Sequence, residues 1–191
     1  MRRTAWILAA AALVAVLVVG ILQGSGATEK TPDFDLADAK RTLAGAPGPL
    51  AALHGRSNVI EPDGGVAQYE AMLRQVRGYP VVVNAWATWC GPCKLEFPIF
   101  QQVSTKLGKR VAFFGLNVSD NRAKADEFLR ERPVPYPSLE DGDTRIVQDV
   151  GWSGGLPLTI FYDRNGKKFV HQGGYTTQAD LIRDIERYAG A

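Results

Sequence analysis

The chain has 191 residues, of which 46% are hydrophobic and 22% are charged, as in an ordinary globular protein with one core. Of its 22 basic residues only Arg2 and Arg3 precede residue 27, so the remaining body carries 22 − 2 = 20 basic and 20 acidic residues, with no net charge. The sequence has no basic stripe and no basic run with interleaved aromatic residues, which argues against nucleic acid as a partner.

The cysteine and histidine content argues against two kinds of structural site. Cys90 and Cys93 are three positions apart, so a bond between them closes too small a loop to staple distant parts of a fold. A structural zinc site needs about four ligands, and the two histidines, His54 and His171, lie far from the cysteines in sequence. We therefore predict no metal site.

Residues 1–27 are predicted to form a membrane anchor or a signal segment. The stretch 5–22 has eighteen residues without a charge, near the lower length for crossing a bilayer. Arg2 and Arg3 favour a cytoplasmic N-terminus, which places the following domain outside the cytoplasm, in the periplasm or at the cell exterior. Small residues over 24–27 also fit a cleavage site, so a cleaved, secreted form is an alternative to a single-pass anchor in the cell membrane.

Residues 28–64 are rich in Pro, Gly, Ala and Asp, which is typical of a linker or an irregular N-terminal extension. Short strands are predicted within it only at residues 33–36 and 57–60. The remaining residues, 65–191, are predicted to form one domain.

Hydrophobic periodicity in residues 65–191 predicts helices that alternate with strands. Three consecutive valines at 81–83 are too apolar for a strand with one solvated face, so this strand is predicted to be central and covered on both sides. The predicted elements are a helix at 66–77, a strand at 81–86, a helix from Cys90 to Leu107, a strand at 110–118, a helix from Asp120 or Asn121 to Arg132, strands at 156–162 and 168–171, and a final helix after Thr177.

The two cysteines belong to the run Cys90-Gly91-Pro92-Cys93, at the junction of the strand at 81–86 and the helix that follows. A Cys-x-x-Cys run at such a junction predicts a dithiol that is reversibly oxidised to a disulfide. Two inert core cysteines are the alternative, although a packed core has no use for Gly-Pro at that spacing.

The string WATWCGPCKLEFP over residues 86–98, together with Gly155-Leu156-Pro157 before a strand, resembles the thioredoxin superfamily. The resemblance is strongest to TlpA-like, membrane-tethered, extracytoplasmic thiol-disulfide oxidoreductases, some of which serve cytochrome c maturation. It implies an α/β thioredoxin-like fold, with a central mixed β-sheet flanked by helices. It also implies a cis peptide bond before Pro157.

Several positions depart from related groups of the superfamily. Asn84 stands where cytosolic thioredoxins carry a buried Asp, and Gly115 stands where they carry its Lys partner. Glu96 matches a glutamate that TlpA-like proteins place after the second cysteine. Leu158 is apolar where members devoted to cytochrome c maturation often carry a Glu, which argues against that specialisation.

The resemblance and the chemistry of thiols together suggest roles for the residues of this region. Cys90, at a helix N-terminus, would attack a partner disulfide as a thiolate, and Cys93, the more buried cysteine, would resolve the mixed disulfide. Glu96 lies one helical turn after Cys93 and would relay a proton if it is buried; a plain surface glutamate is the alternative. The predicted substrate-binding surface consists of Trp89, Gly91, Pro92, Leu156 and Pro157.

The sequence therefore predicts an extracytoplasmic reductant of disulfides in exported proteins, with apocytochrome c among the candidates. The Cys90–Cys93 disulfide is the expected redox centre, and no other cofactor is predicted because the chain has no nucleotide or flavin motif. Since a reductant outside the cytoplasm must be re-reduced, a membrane electron donor is a predicted partner. Two alternatives stay open: a disulfide oxidase or isomerase for secreted proteins, and a thiol-based Cu(I)-binding or redox-sensing module.

Overall fold

The computed structural model describes residues 34–191. The predicted anchor or signal segment, with its apolar run at 5–22, lies outside the described residues. From residue 34 to residue 191, no helix is both long enough and apolar enough to cross a membrane. The helices and strands are α1 Leu36–Leu43, α2 Gly48–Gly55, β1 Ile60–Glu61, α3 Gly65–Gln75, β2 Val81–Trp86, α4 Gly91–Leu107, β3 Ala112–Val118, α5 Arg122–Glu131, β4 Ser138–Asp141, α6 Arg145–Asp149, β5 Leu158–Tyr162, β6 Lys168–Gln172, and α7 Gln178–Asp184, which continues into the π-helical segment Ile185–Ala189.

A six-stranded mixed sheet forms the centre of the domain, in the order β1-β4-β3-β2-β5-β6. Strand β2 pairs in parallel with β3 and antiparallel with β5, and all of its residues are buried. Its valines leave no polar face for water, so the predicted central position of this strand is confirmed. The predicted α/β fold, with a central mixed sheet flanked by helices, is confirmed as well.

Alternate residues of β2 pack into two core clusters, one on each face of the sheet. Val82 and Trp86 lie in the cluster that contains both cysteines, where the Trp86 ring meets the edge of Phe97 at a centroid distance of 5.2 Å. Val83 and Ala85 lie in the other cluster, which is covered by α2, α3 and α6. The dithiol therefore belongs to the face of the sheet that α4 and α7 cover.

Within residues 65–191, two elements, β4 and α6, are not predicted by the sequence pattern. Strand β4 reads Ser-Leu-Glu-Asp and lacks the β-branched and aromatic residues that mark a strand, but it pairs in parallel with both β3 and β1. At its end, Asp141 accepts hydrogen bonds of 3.0 Å from the N–H groups of Ile146 and Val147 and so holds the start of α6. Strands β3 and β5 each begin two residues later than the predicted positions, 110 and 156.

The prediction of an irregular extension over residues 28–64 is wrong for residues 34–64. The Asp35 side chain accepts hydrogen bonds from the N–H groups of Ala37 and Asp38, which starts a helix where a strand is predicted at 33–36. The many alanine residues here favour a helix, although the Pro and Gly around them suggest a linker.

Helix α2 and strand β1 are also part of the domain. Leu50 and Leu53 of α2 are fully buried in the core, and β1 pairs with β4 close to the strand predicted at 57–60. The described chain forms one compact unit, Phe34–Ala191. Residues 34–64 thus complete one edge of the sheet and one face of the core.

Replacing Leu50 with alanine tests the packing of α2. Because Leu50 has no exposed surface, Leu50→Ala should lower the free energy of unfolding by about 2–5 kcal/mol. The control Val59→Ala removes a side chain that is 48% exposed and should change it by about 0.5 kcal/mol or less. Denaturant unfolding of the full chain measures both, and equal stability of the two variants would contradict the packing of this helix.

Candidate active site

The dithiol lies where β2 leads into α4, on the side of the sheet at the carboxyl end of β2. Cys90 has extended backbone angles and is the N-cap of α4, and its Sγ accepts a hydrogen bond of 3.2 Å from the Cys93 N–H. Pro92 fits the first turn because the N–H that it lacks would have no partner within the helix. Cys90 and Cys93 form a disulfide, and Cys93 is the more buried of the two, with 0% exposure against 4%.

A carboxylate in the loop that follows β3, Asp120, holds the turn before Cys90. Asp120 accepts hydrogen bonds of 2.5 Å from both the N–H and the hydroxyl of Thr88, and one of 2.9 Å from the Asn117 amide. The Trp89 indole N–H donates to the Ser119 carbonyl at 3.0 Å. These contacts attach the turn between β2 and the dithiol to the end of β3.

Glu96 lies on the buried side of α4, one turn after Cys93, and is completely buried. One carboxylate oxygen accepts a hydrogen bond of 2.7 Å from the Asn84 side-chain amide, and the other accepts one of 3.1 Å from the Tyr175 N–H. Burial raises the pKa of Glu96 from its ordinary value of 4.5 to about 7, although both hydrogen bonds act in the opposite direction. The alternative of a plain surface glutamate is therefore wrong, and the burial that the relay role requires is present.

The two positions that differ from cytosolic thioredoxins, Asn84 and Gly115, lie side by side in the sheet. Asn84 on β2 is directly paired with Gly115 on β3 and with Thr159 on β5. A Cβ added to Gly115 would collide with the Ser138 hydroxyl and the Trp86 indole nitrogen, so no lysine fits there in this packing. Asn84 therefore has Glu96, rather than a charged residue on β3, as its side-chain partner.

The loop before β5 forms the second part of the site. The Leu156–Pro157 peptide bond is cis, as the resemblance implies. Pro157 is buried, and Leu156 is half-buried against the core cluster that contains Cys90 and Cys93. The Trp152 indole N–H donates to the Gly155 carbonyl at 2.7 Å, which braces the loop.

The surface beside the dithiol is partly apolar. Trp89 is 59% exposed and Leu95 is 79% exposed, while Gly91 and Pro92 are also open to solvent. A cleft of about 460 Å³ lies next to Trp89 and is bounded by α5. A second cavity of about 470 Å³ lies at the opposite end of β2, near Tyr79, away from the dithiol.

Within residues 34–191, no group of three or more His, Cys, Asp or Glu side chains could hold a metal ion.

Two parts of this site are not predicted from the sequence. The sequence offers Asp120 only as a possible helix cap, but Asn121 caps α5 by accepting from the Lys124 N–H, and Asp120 instead accepts from Thr88. Tyr175 reaches Glu96 through its backbone, and every residue except proline carries that N–H. No sequence signal marks such a contact, apart from the two glycines that precede Tyr175 and leave room for a close approach.

Comparison with known proteins places the chain among thiol-disulfide proteins. The sequence profile of the Redoxin family matches residues 29–185. The thiol:disulfide interchange protein DsbE of Escherichia coli (strain K12) is 41% identical over 99 residues, which are 51% of this chain and 51% of that protein. DsbE of Pseudomonas fluorescens biotype C is 31% identical over 137 residues, 70% of this chain and 68% of that protein. The chain thus spans about half the length of the Escherichia coli relative.

Solved structures show the same fold. The MTB dsbF protein, in mixed oxidized and reduced forms, has a TM-score of 0.56 and 29% identity over 60% of this chain and 84% of that chain. A secreted thiol-disulfide isomerase from Corynebacterium glutamicum has a TM-score of 0.53 and 27% identity over 58% of this chain and 71% of that chain. These likenesses confirm the thioredoxin-like fold. On the match over most of its length, the chain belongs to the Redoxin family, among the relatives of the DsbE thiol:disulfide interchange proteins.

Proposed function

We propose that this protein is an extracytoplasmic thiol-disulfide oxidoreductase that reduces disulfides in exported proteins through Cys90 and Cys93. The observation that carries the proposal is the Cys90–Cys93 pair at the start of α4, next to the exposed Trp89, with the buried Glu96 one turn further along the same helix. The similarity to DsbE supports the same chemistry.

The first chemical step uses Cys90 as the nucleophile. In the reduced protein, the Cys93 N–H that points at the Cys90 sulfur and the N-terminal end of α4 both favour a thiolate. The Cys90 thiolate attacks one sulfur of the partner disulfide. The partner S–S bond breaks, an intermolecular S–S bond forms, and the partner's other sulfur leaves as a thiolate.

The second step needs Cys93 to lose its proton. The Cys93 thiolate attacks the Cys90 sulfur, the intermolecular bond breaks, and the Cys90–Cys93 disulfide forms. The partner has then gained two electrons, and its two thiolates take up protons. The redox-active disulfide alone carries the two electrons, so no other cofactor is needed for this exchange.

Glu96 is the group we assign to move the Cys93 proton. It lies one helical turn after Cys93, and a pKa of about 7 lets it accept and release a proton near neutral pH. The Asn84 NH₂ donates to the Glu96 carboxylate. If the amide turns over, its oxygen, which has no hydrogen-bond partner among residues 34–191, can accept from the protonated acid, so Asn84 suits both protonation states. An aspartate at position 84 would place a second carboxylate beside Glu96.

Partner recognition is assigned to the surface around Cys90. Trp89, Gly91 and Pro92 are exposed next to the reactive sulfur, where the peptide that flanks the partner's cysteine must lie. Leu156 and the cis Pro157 provide the second wall, along which an extended peptide can pair its backbone, strand to strand. Leu158, by contrast, is fully buried in the core, so no acidic side chain marks this loop for apocytochrome c.

Features beyond the site support the proposed direction and location of the reaction. The Gly-Pro pair between the cysteines is that of thioredoxin, a reductant, and the arginine-led apolar segment at 5–22 supports export. One similar solved protein is described as secreted. A protein that reduces disulfides outside the cytoplasm must be re-reduced, so we propose a membrane electron donor as the second partner.

Trapping of mixed disulfides tests the assignment of the two cysteines. Cys93→Ser cannot resolve the intermediate, so it should accumulate covalent complexes through Cys90 that disappear on reduction with dithiothreitol. Mass spectrometry of the purified complexes identifies the partners. Cys90→Ser is the matched control and should trap far fewer partners, because Cys93 is buried. Equal trapping by the two variants would contradict the assignment.

A redox titration tests the direction of the reaction. Equilibration with dithiothreitol or glutathione buffers should give a reduction potential near that of thioredoxin, about −270 mV, if the protein is a reductant. A value near that of DsbA, about −120 mV, would instead favour a disulfide oxidase or isomerase for secreted proteins.

The Glu96→Gln variant tests the proton relay. In the wild type, resolution should slow as the pH falls through about 7, because protonated Glu96 no longer accepts the Cys93 proton. Glu96→Gln should lose this pH dependence and should be slower at pH 8 by about 10²-fold, measured by single-turnover fluorescence. Glu127→Gln, an exposed residue of the cleft beside Trp89, is the control and should keep the wild-type profile. If both variants resolve at the wild-type rate, Glu96 is not the relay.

A further inference from the structure

The loop of residues 173–175, between β6 and α7, touches both halves of the candidate active site. The Gly173 N–H donates to the Pro157 carbonyl at 3.1 Å, and the Tyr175 N–H donates to a Glu96 carboxylate oxygen at 3.1 Å. Between them, a Cβ added to Gly174 would lie 3.2 Å from the Pro157 ring and 3.4 Å from the same Glu96 oxygen. The loop backbone is therefore packed directly against the cis-proline and against the buried carboxyl.

The Tyr175 side chain anchors this loop. Its hydroxyl donates to Asp184 on α7 at 2.9 Å, and its ring stacks on His171 with centroids 4.8 Å apart. The ring also meets the edge of Phe100 at 6.2 Å, and the residue is only 5% exposed. Two glycines precede Tyr175 and have no side chains, so the side-chain contacts that hold this loop come from Tyr175, in addition to the Gly173 backbone bond to Pro157.

We propose that Tyr175 and Asp184 are positioning residues for Glu96: their hydrogen bond keeps the Tyr175 N–H on the Glu96 carboxylate. The inference rests on the proposed function, in which Glu96 exchanges a proton with Cys93. A backbone N–H that points at a carboxylate stabilises the ionised form relative to the acid. The Tyr175–Asp184 pair thus sets the pH at which Glu96 can act as a base, without touching the reacting sulfurs.

Three other ionisable residues lie near Glu96 or near the Tyr175–Asp184 pair: Tyr136, His171 and Tyr188. The buried Tyr136 hydroxyl feels the charge of Glu96, His171 lies 3.8 Å from Asp184, and Tyr188 lies near Tyr175. In the reduced protein the Cys93 thiol is added to them. Because an overall rate can respond to any ionisable group near the site, the readout must observe Glu96 itself.

Direct titration of Glu96 provides that readout. Glutamate is labelled with ¹³C at the carboxyl carbon in the oxidised full chain, and the Glu96 resonance is identified as the one missing in Glu96→Gln. In Tyr175→Phe the ring remains but the bond to Asp184 is lost, so the Glu96 midpoint should rise by about 0.5–1 pH unit. The midpoint of the pH–rate profile of resolution should rise with it.

A matched control separates positioning from general loss of stability. Tyr69→Phe also removes a 2.9 Å bond of a buried tyrosine hydroxyl, the one to Tyr162, on the other face of the sheet. It should leave the Glu96 midpoint at the wild-type value even if it lowers stability as much as Tyr175→Phe does. A midpoint that moves equally in both variants would overturn the proposal.

Two substitutions of Asp184 separate its hydrogen bond from its charge. Asp184→Asn keeps an acceptor for the Tyr175 hydroxyl and should restore a midpoint close to that of the wild type, whereas Asp184→Ala should raise it as Tyr175→Phe does. If Asp184 acted through its negative charge, both variants would instead lower the Glu96 midpoint by a similar amount. That result would overturn the positioning role.

The titration does not depend on the enzymatic activity. A raised Glu96 midpoint in Tyr175→Phe would support the positioning role even if the wild-type protein reduced no disulfide, in which case the proposed function alone would fail. An active wild type whose Glu96 midpoint is the same in Tyr175→Phe would overturn the positioning role and leave the proposed function standing.

Discussion

Burial of the Glu96 carboxyl is the constraint on which the rest of the site depends. A carboxylate without solvent contact is costly unless donors surround it, and here one donor comes from β2 and one from the β6–α7 loop. The central strand, the dithiol helix and the last hairpin must therefore hold their positions together. The same burial moves the proton affinity of Glu96 into the range where a dithiol can use it.

The end of β2 is the place where these elements meet. Its last residues lie between β3, which supplies the Asp120 support for the turn, and β5, which follows the cis-proline loop. Because β2 has a parallel neighbour on one side and an antiparallel neighbour on the other, the dithiol and the cis-proline loop lie at the same end of the sheet. The strand order therefore brings the groups of the candidate site together. Residues 34–64, which are far from the cysteines in sequence, complete the sheet and the core.

The local sequence pattern was sufficient to predict a feature when a single segment both forms the strand or helix and carries the reactive residues. The valines of β2 predicted a covered central strand, and Cys90 to Cys93 predicted a dithiol at a helix start. Pattern failed where pairing decided the outcome: β4 has little intrinsic preference for a strand, and α1 and α2 lie in a composition typical of linkers. For β4, the partner strands supply the stabilisation that its own sequence lacks. For α1 and α2, the Asp35 cap and the core packing of Leu50 and Leu53 outweigh the surrounding Pro and Gly residues.

By itself, the sequence determined the redox pair, the helix that carries it and the spacing that puts Glu96 one turn beyond Cys93, because these depend on neighbours along the chain. Only the tertiary structure decided that Glu96 is buried, that Asn84 is its partner and that the Tyr175 backbone reaches it across 79 positions of sequence. A hydrogen bond from a backbone N–H carries no residue signature. Such contacts exist only once the sheet has brought distant loops together.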